Sequence, residues 1–118
     1  MKYLCLVYLD EGVLNALSKE QFDALVSEAL DYNDALRRSG HYITSNVLQP
    51  IQTATTIRPR NGQISTTDGP FAETKEQLGG FMLIEARDLN DAIRVASQIP
   101  LGRLGGIEVR PVRELTRS

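Results

Sequence analysis

The sequence predicts an α+β domain, a mainly antiparallel sheet with two helices on one of its faces. Three observations carry this. Apolar strand-like runs occur at 2–8, 42–48, 80–86 and 107–112. Two stretches of helical periodicity separate them, one after Ser18 and one after Asp88. Between the halves, two more polar strand-like runs meet at Asn61-Gly62, a strong short-range hairpin signal.

Each element has its own reason. In residues 2–8, Tyr3, Cys5 and Val7 face one way and Leu4, Leu6 and Tyr8 the other, as in a central strand covered twice. Asp10-Glu11-Gly12 breaks it. Ser18 with Gln21 has the spacing of a capping box, and Leu17 and Phe22 that of a hydrophobic staple. Phe22, Leu25, Val26, Ala29, Leu30 and Leu36 form the helix's expected buried stripe, and Gly40 ends it in the left-handed conformation. Residues 42–48 make a second strand, stopped at Gln49-Pro50.

A two-residue loop at Asn61-Gly62 sets the register between the runs 53–58 and 63–67. Arg60 faces Gln63, Ile57 faces Thr66, and Thr55 faces Asp68. Pro59 and Ile64 then form a non-hydrogen-bonded pair, which an edge position tolerates. If Ile57 and Ile64 define the inner face, Asp68 points inward with them. Residues 80–86 are a further two-faced strand. Asp88 caps a second helix, with Asp91 at its positive N-terminal end and Leu89, Ala92, Ile93 and Ala96 as its stripe. Pro100 stops it, 102–106 is a flexible connection, and 107–112 is the last strand, with Ile107 and Val109 opposite Glu108 and Arg110. This order is the outline of a ferredoxin-like sandwich spanning 1–118 as a single domain. One sheet face stays apolar and uncovered by so short a chain, so a homodimer is expected.

Composition narrows the function classes. Thirteen Lys and Arg against fifteen Asp and Glu leave a formal charge of −2, too balanced for electrostatic capture of nucleic acid. No apolar run is long enough for a membrane span, and the start reads as a strand rather than a cleavable leader. A cytoplasmic protein is the expectation. Cys5 is the single cysteine and lies in an apolar run, which reads as a core residue. With one His and one Cys, a zinc or haem site is not expected, nor is any other cofactor.

Function concentrates in Asp68-Gly69-Pro70-Phe71-Ala72-Glu73-Thr74-Lys75-Glu76, closed by Leu78-Gly79-Gly80. Turn residues, an aromatic and four charges here lie between two stiff flanks. Together with Glu108-Val109-Arg110-Pro111-Val112, this run resembles the DGPF (DGPFAETKE) branch of the YCII-related proteins, and the likeness extends over nearly the whole chain. The resemblance implies the dimeric α+β barrel superfamily, which holds isomerases, cofactor-free monooxygenases and haem enzymes. It also implies a partner related to extracytoplasmic-function sigma factors. YCII proteins proper are thought to use a histidine in the first helix and an aspartate before the proline after the second helix. Here the first helix has no histidine and Ile99 precedes Pro100, so that chemistry does not transfer.

Asp68 is the candidate general base or polar-group ligand, against a plain role in capping the Gly69-Pro70 turn. Phe71 lines a pocket mouth or plugs its own loop onto the core. Glu73, Lys75 and Glu76 bind a ligand or form a solvated rim. Arg110 binds an anion or pairs with Glu108, Glu85 or a carboxylate of the turn. His41, after the helix C-terminus where the macrodipole favours its charged form, is a weaker catalytic candidate or a surface residue. Two functions follow: a small-molecule-binding protein or acid–base enzyme with its pocket at this turn, or a non-catalytic interaction module that docks through the charges.

Overall fold

A computed structural model describes residues 1–117. Its elements are β1 (Lys2–Leu9), α1 (Glu11–Asn15), α2 (Lys19–Ser39), β2 (Tyr42–Val47), β3 (Thr55–Arg60), β4 (Gln63–Asp68), β5 (Gln77–Glu85), α3 (Leu89–Ala96) and β6 (Gly105–Pro111). Turns of 3₁₀ helix occupy Ile51–Thr53 and Pro100–Leu104. The chain is α+β. Four strands form one antiparallel sheet in the order β2-β5-β1-β6, and β3 and β4 form a separate two-stranded sheet.

The core lies between one face of the larger sheet and the helices. Tyr3, Cys5, Val7, Met82 and Ile84 from β1 and β5 pack against Leu36 of α2 and Ala92, Val95 and Ala96 of α3. The alternation in β1 is therefore borne out, as is the core placement of Cys5, whose thiol burial pushes up to about 11. Leu4, Leu6, Tyr8, Phe81 and Leu83 point to the other face and are half-buried.

Local capping chemistry holds the helices where the sequence places them. Ser18 accepts from Gln21 N at 3.1 Å while Ser18 N donates to Gln21 Oε1 at 2.9 Å, which closes the capping box. Gly40 follows with φ 81°. Asp10, read only as a breaker, instead accepts from Gly12 N at 2.8 Å and starts α1. The Tyr32 hydroxyl donates to Val95 O at 2.6 Å, tying α2 to α3.

Both apolar stripes need correction. In α2 only Leu25 and Leu36 are buried, while Phe22, Val26 and Leu30 remain exposed. Beside them lies a cleft of about 550 Å³, lined by Leu9, Leu25, Val26, Ala29, Leu48 and Leu101 among others. In α3, Leu89 and Ile93 are exposed; Asp91, Ala92, Val95 and Ala96 are buried. The core meets this helix about one residue's rotation away from its most hydrophobic arc, along Ala92, Val95 and Ala96.

Boundaries shift elsewhere by a few residues. β5 begins at Gln77, and residues 51–53 turn before β3 starts. Part of the expected connection at 102–106 is the 3₁₀ turn Pro100–Leu104, and β6 starts at Gly105, where a Cβ would collide with Tyr8 O.

Candidate functional site

The hairpin that feeds the charged turn has the expected register: Thr55 faces Asp68, Ile57 Thr66, Pro59 Ile64 and Arg60 Gln63. Asn61 and Gly62 take φ 51° and 77°, the left-handed pair that a type I′ turn requires. Pro59 is tolerated because both strands of the two-stranded sheet are edges. Its base is locked to the turn, since Gly69 N donates to Ala54 O at 2.8 Å and the Thr56 hydroxyl donates to Gly69 O at 2.9 Å.

The inward orientation of Asp68 does not hold within one chain. Ile57 and Ile64 are 59% and 74% exposed, and Asp68, on their face, is exposed too. The register is right, but the hairpin leaves the main sheet, so its isoleucine face meets no core. Asp68 lines none of the hollows described here, and neither does Glu73.

The loop after Asp68 does wall a hollow of about 620 Å³. Pro70, Phe71, Thr74 and Glu76 form one side, and Tyr8 and Ile51 the other. Gln77 fixes the loop from inside: it is buried, and its Nε2 donates to Ala72 O at 2.9 Å and Thr74 O at 3.0 Å. The Thr74 hydroxyl donates to Glu76 O at 2.6 Å. Across the hollow, Ile51 N donates to Glu11 Oε2 at 2.9 Å, which secures the second wall to α1. Phe71 is 73% exposed and does not plug the core. Its ring instead carries the Arg58 guanidinium 4.4 Å from its centroid, a cation–π contact that ties loop to hairpin.

Tyr8, Thr74 and Glu76 also border a second hollow of about 570 Å³, shared with Lys75, Ile107 and Glu108. These three residues thus stand between two concavities. Glu76, rather than Asp68, is the carboxylate that the fold brings to them, beside Gly105 and Tyr8 O. Arg110 is exposed and its Nε lies 3.7 Å from Glu108 Oε2, one of the pairings foreseen for it.

His41 is not a plain surface residue. Its Nε2 lies 3.0 Å from Asp91 Oδ2 and its Nδ1 2.7 Å from the Ser39 hydroxyl. Asp91 is 1% exposed and also accepts from Arg87 N at 3.1 Å and Arg94 Nη2 at 2.7 Å. The backbone N–H of Arg87, then the Arg94 guanidinium, then His41 hold its carboxyl far below the usual carboxylate range, outweighing burial. Asp91 and Ser39 were missed as partners of His41. Asp91 reads locally as a helix N-terminal charge, and no local pattern reports a contact between residues 50 apart.

Residues 1–116 match the YCII-related domain. The chain belongs to this family. It is also 36% identical over 114 residues, 95% of this chain and 92% of the other, to an uncharacterized protein of Rhizobium meliloti (strain 1021). In this YCII-related chain Ile99, just before Pro100, is a buried core residue. Among the described residues no helix is long and apolar enough to cross a membrane.

Proposed function

We propose that this YCII-related chain, of the DGPF branch, binds a small molecule in the hollow between the Gly69–Leu78 loop and the end of β1. One observation carries the reading. The loop's own Phe71, Thr74 and Glu76 face Tyr8 across about 620 Å³, a volume suited to a metabolite-sized ligand. Phe71 and Ile51 supply apolar surface; Glu76 and Tyr8 supply a carboxylate and a hydroxyl. A ligand with hydrogen-bond donors at one end and an apolar body fits this lining, and proton transfer to or from it would run through Glu76. Lys75 faces the neighbouring hollow, where it suits an anionic or carbonyl group, with Arg110 on the adjoining strand.

The proposal includes a second copy, with each chain a ferredoxin-like sandwich and the pair a dimeric α+β barrel. A compact chain of 13.1 kDa exposes about 6,400 Å². This one exposes 8498 Å². Its radius of gyration of 16.3 Å likewise exceeds the roughly 13.5 Å expected at this length. The excess surface, roughly 2,000 Å² per chain and so roughly 4,000 Å² for a pair, is of the size that an obligate homodimer interface covers. In such a dimer a partner surface against Ile57, Ile64 and Asp68 is what would make Asp68 a site residue.

A second reading has its own support. Glu73, Lys75 and Glu76 are all exposed, as docking of a sigma-factor-related protein through this turn requires. The two separate in one experiment. Thermal-shift screening with small amines, alcohols and aromatic carboxylates should yield a ligand that raises the wild-type melting temperature. At a hundred times its Kd, such a ligand adds about 2.7 kcal/mol. Phe71→Ala and Glu76→Gln should abolish that shift. If every hit stabilises both variants as well as the wild type, the hollow is not the site. Loss of a protein complex on Glu73→Lys with Lys75→Glu, with no ligand found, would favour docking.

A further inference from the structure

On the opposite flank of the molecule, the end of α2 meets the start of α3 across a hollow of about 510 Å³. Ser39, His41 and Asp91 line it, with Glu85, Arg87 and Arg94 as its other charged side chains, and the amino group of Met1 rests on Glu85. The hydrogen-bond distances fix how protons are arranged. Asp91 holds Arg87 N, Arg94 and His41 on its two oxygens, and an ionised carboxylate only accepts. His41 Nε2 therefore carries a hydrogen and donates it to Asp91.

What remains is Nδ1 and the Ser39 hydroxyl, 2.7 Å apart. With neutral imidazole, Nδ1 has only a lone pair, and the Ser39 O–H must donate to it. The hydroxyl's other acceptor, Leu36 O, is farther at 3.1 Å. With charged imidazole the direction reverses: Nδ1–H donates to Ser39 Oγ, and the hydroxyl proton turns to Leu36 O. One proton on His41 thus decides whether Ser39 Oγ is paired with a base or with an acid.

We propose that Ser39 is an acyl-accepting nucleophile for small carboxylic esters, with His41 as its base and Asp91 as the residue that positions and balances the imidazole. This site is separate from the loop hollow and does not rest on it. Ser39 Oγ attacks the ester carbonyl carbon while its proton passes to His41 Nδ1. The bond from that carbon to the alcohol oxygen breaks, and the leaving oxygen takes the proton from Nδ1. Water then attacks the acyl-serine, giving its proton to Nδ1, and the carboxylic acid leaves as Ser39 recovers the proton. The nearby N–H groups of Gly40 and His41 are committed to Arg37 O and Leu36 O, so developing negative charge on the carbonyl oxygen falls to Arg94 or Arg87. Arg94 suits this, because only Nη2 is bonded to Asp91.

The test is labelling of the full chain with a small alkyl fluorophosphonate, mapped by peptide mass spectrometry. A single adduct is expected on Ser39. It should vanish in Ser39→Ala, and in both His41→Asn and His41→Gln it should form at least about tenfold more slowly. Melting curves of each variant identify any that has lost its fold, and the comparison is made on those that keep it; Ser39 is exposed, so its variant keeps the test open. No adduct, an adduct on another residue, or a rate indifferent to both His41 variants would overturn the proposal.

Discussion

Leu6→Glu is the sharpest perturbation of the proposed dimer. Leu6 sits at the middle of the open sheet face, opposite Phe81 on β5 and Glu108 on β6. Within one chain it is half-buried, so the monomer keeps its core and loses little stability. In a face-to-face dimer the new carboxylate would be desolvated beside Glu108, in the apolar centre where interface energy concentrates. Disrupting such a residue removes about 2–4 kcal/mol, and two-fold symmetry counts the loss twice. At 1.4 kcal/mol per tenfold, dissociation should strengthen by at least about a thousandfold. Sedimentation velocity over a concentration series reads this directly. The wild type should run at about twice 13.1 kDa and the variant at 13.1 kDa, with unchanged circular dichroism. A wild type that sediments as one chain at every concentration refutes the area argument. So does a variant that keeps the wild-type mass.

Other predictions address single elements. Cys5, fully buried with its thiol pushed up to about 11, should resist a disulfide reagent at pH 8 and react promptly once guanidinium unfolds the chain; fast native labelling would contradict its place in the core. Asp91 has a lowered folded-state pKa, so its contribution is present above the unfolded carboxylate value near 3.9 and is lost as pH falls toward the folded value. Urea midpoints below about pH 4 should therefore fall more steeply for the wild type than for Asp91→Asn, and parallel curves would refute the linkage. Gly62→Ala places a Cβ at φ 77° and should cost the hairpin about 1 kcal/mol. Because β3 and β4 pair only with each other, hydrogen exchange should quicken in the hairpin while protection in β1 and β5 stays unchanged.

Much of this fold is written locally. Ser18 and Gln21 specify a capping box through a three-residue spacing, and Asn61-Gly62 specifies a hairpin register through two positive φ angles. Alternation in β1 separates Tyr3, Cys5 and Val7 from Leu4, Leu6 and Tyr8 before any partner is known. The stripes of α2 and α3 were less legible. Periodicity finds the most apolar arc of a helix, whereas packing selects the arc that matches the shape of the sheet beneath it. The face of Ala92, Val95 and Ala96 joins the core, while Leu89 and Ile93 stay outside.

The candidate sites divide in the same way. From residue order alone came the charged turn, its Gly69-Pro70 geometry, and the pairing of Asp68 with Thr55. Only the folded chain decided that this hairpin stands off the main sheet, that Glu76 and Tyr8 face the hollow instead of Asp68, and that His41 meets a carboxylate 50 residues away. Backbone dihedrals and side-chain alternation act over a few residues and leave their mark in sequence. Proximity between distant segments depends on how whole elements pack, and no short stretch of the chain records it.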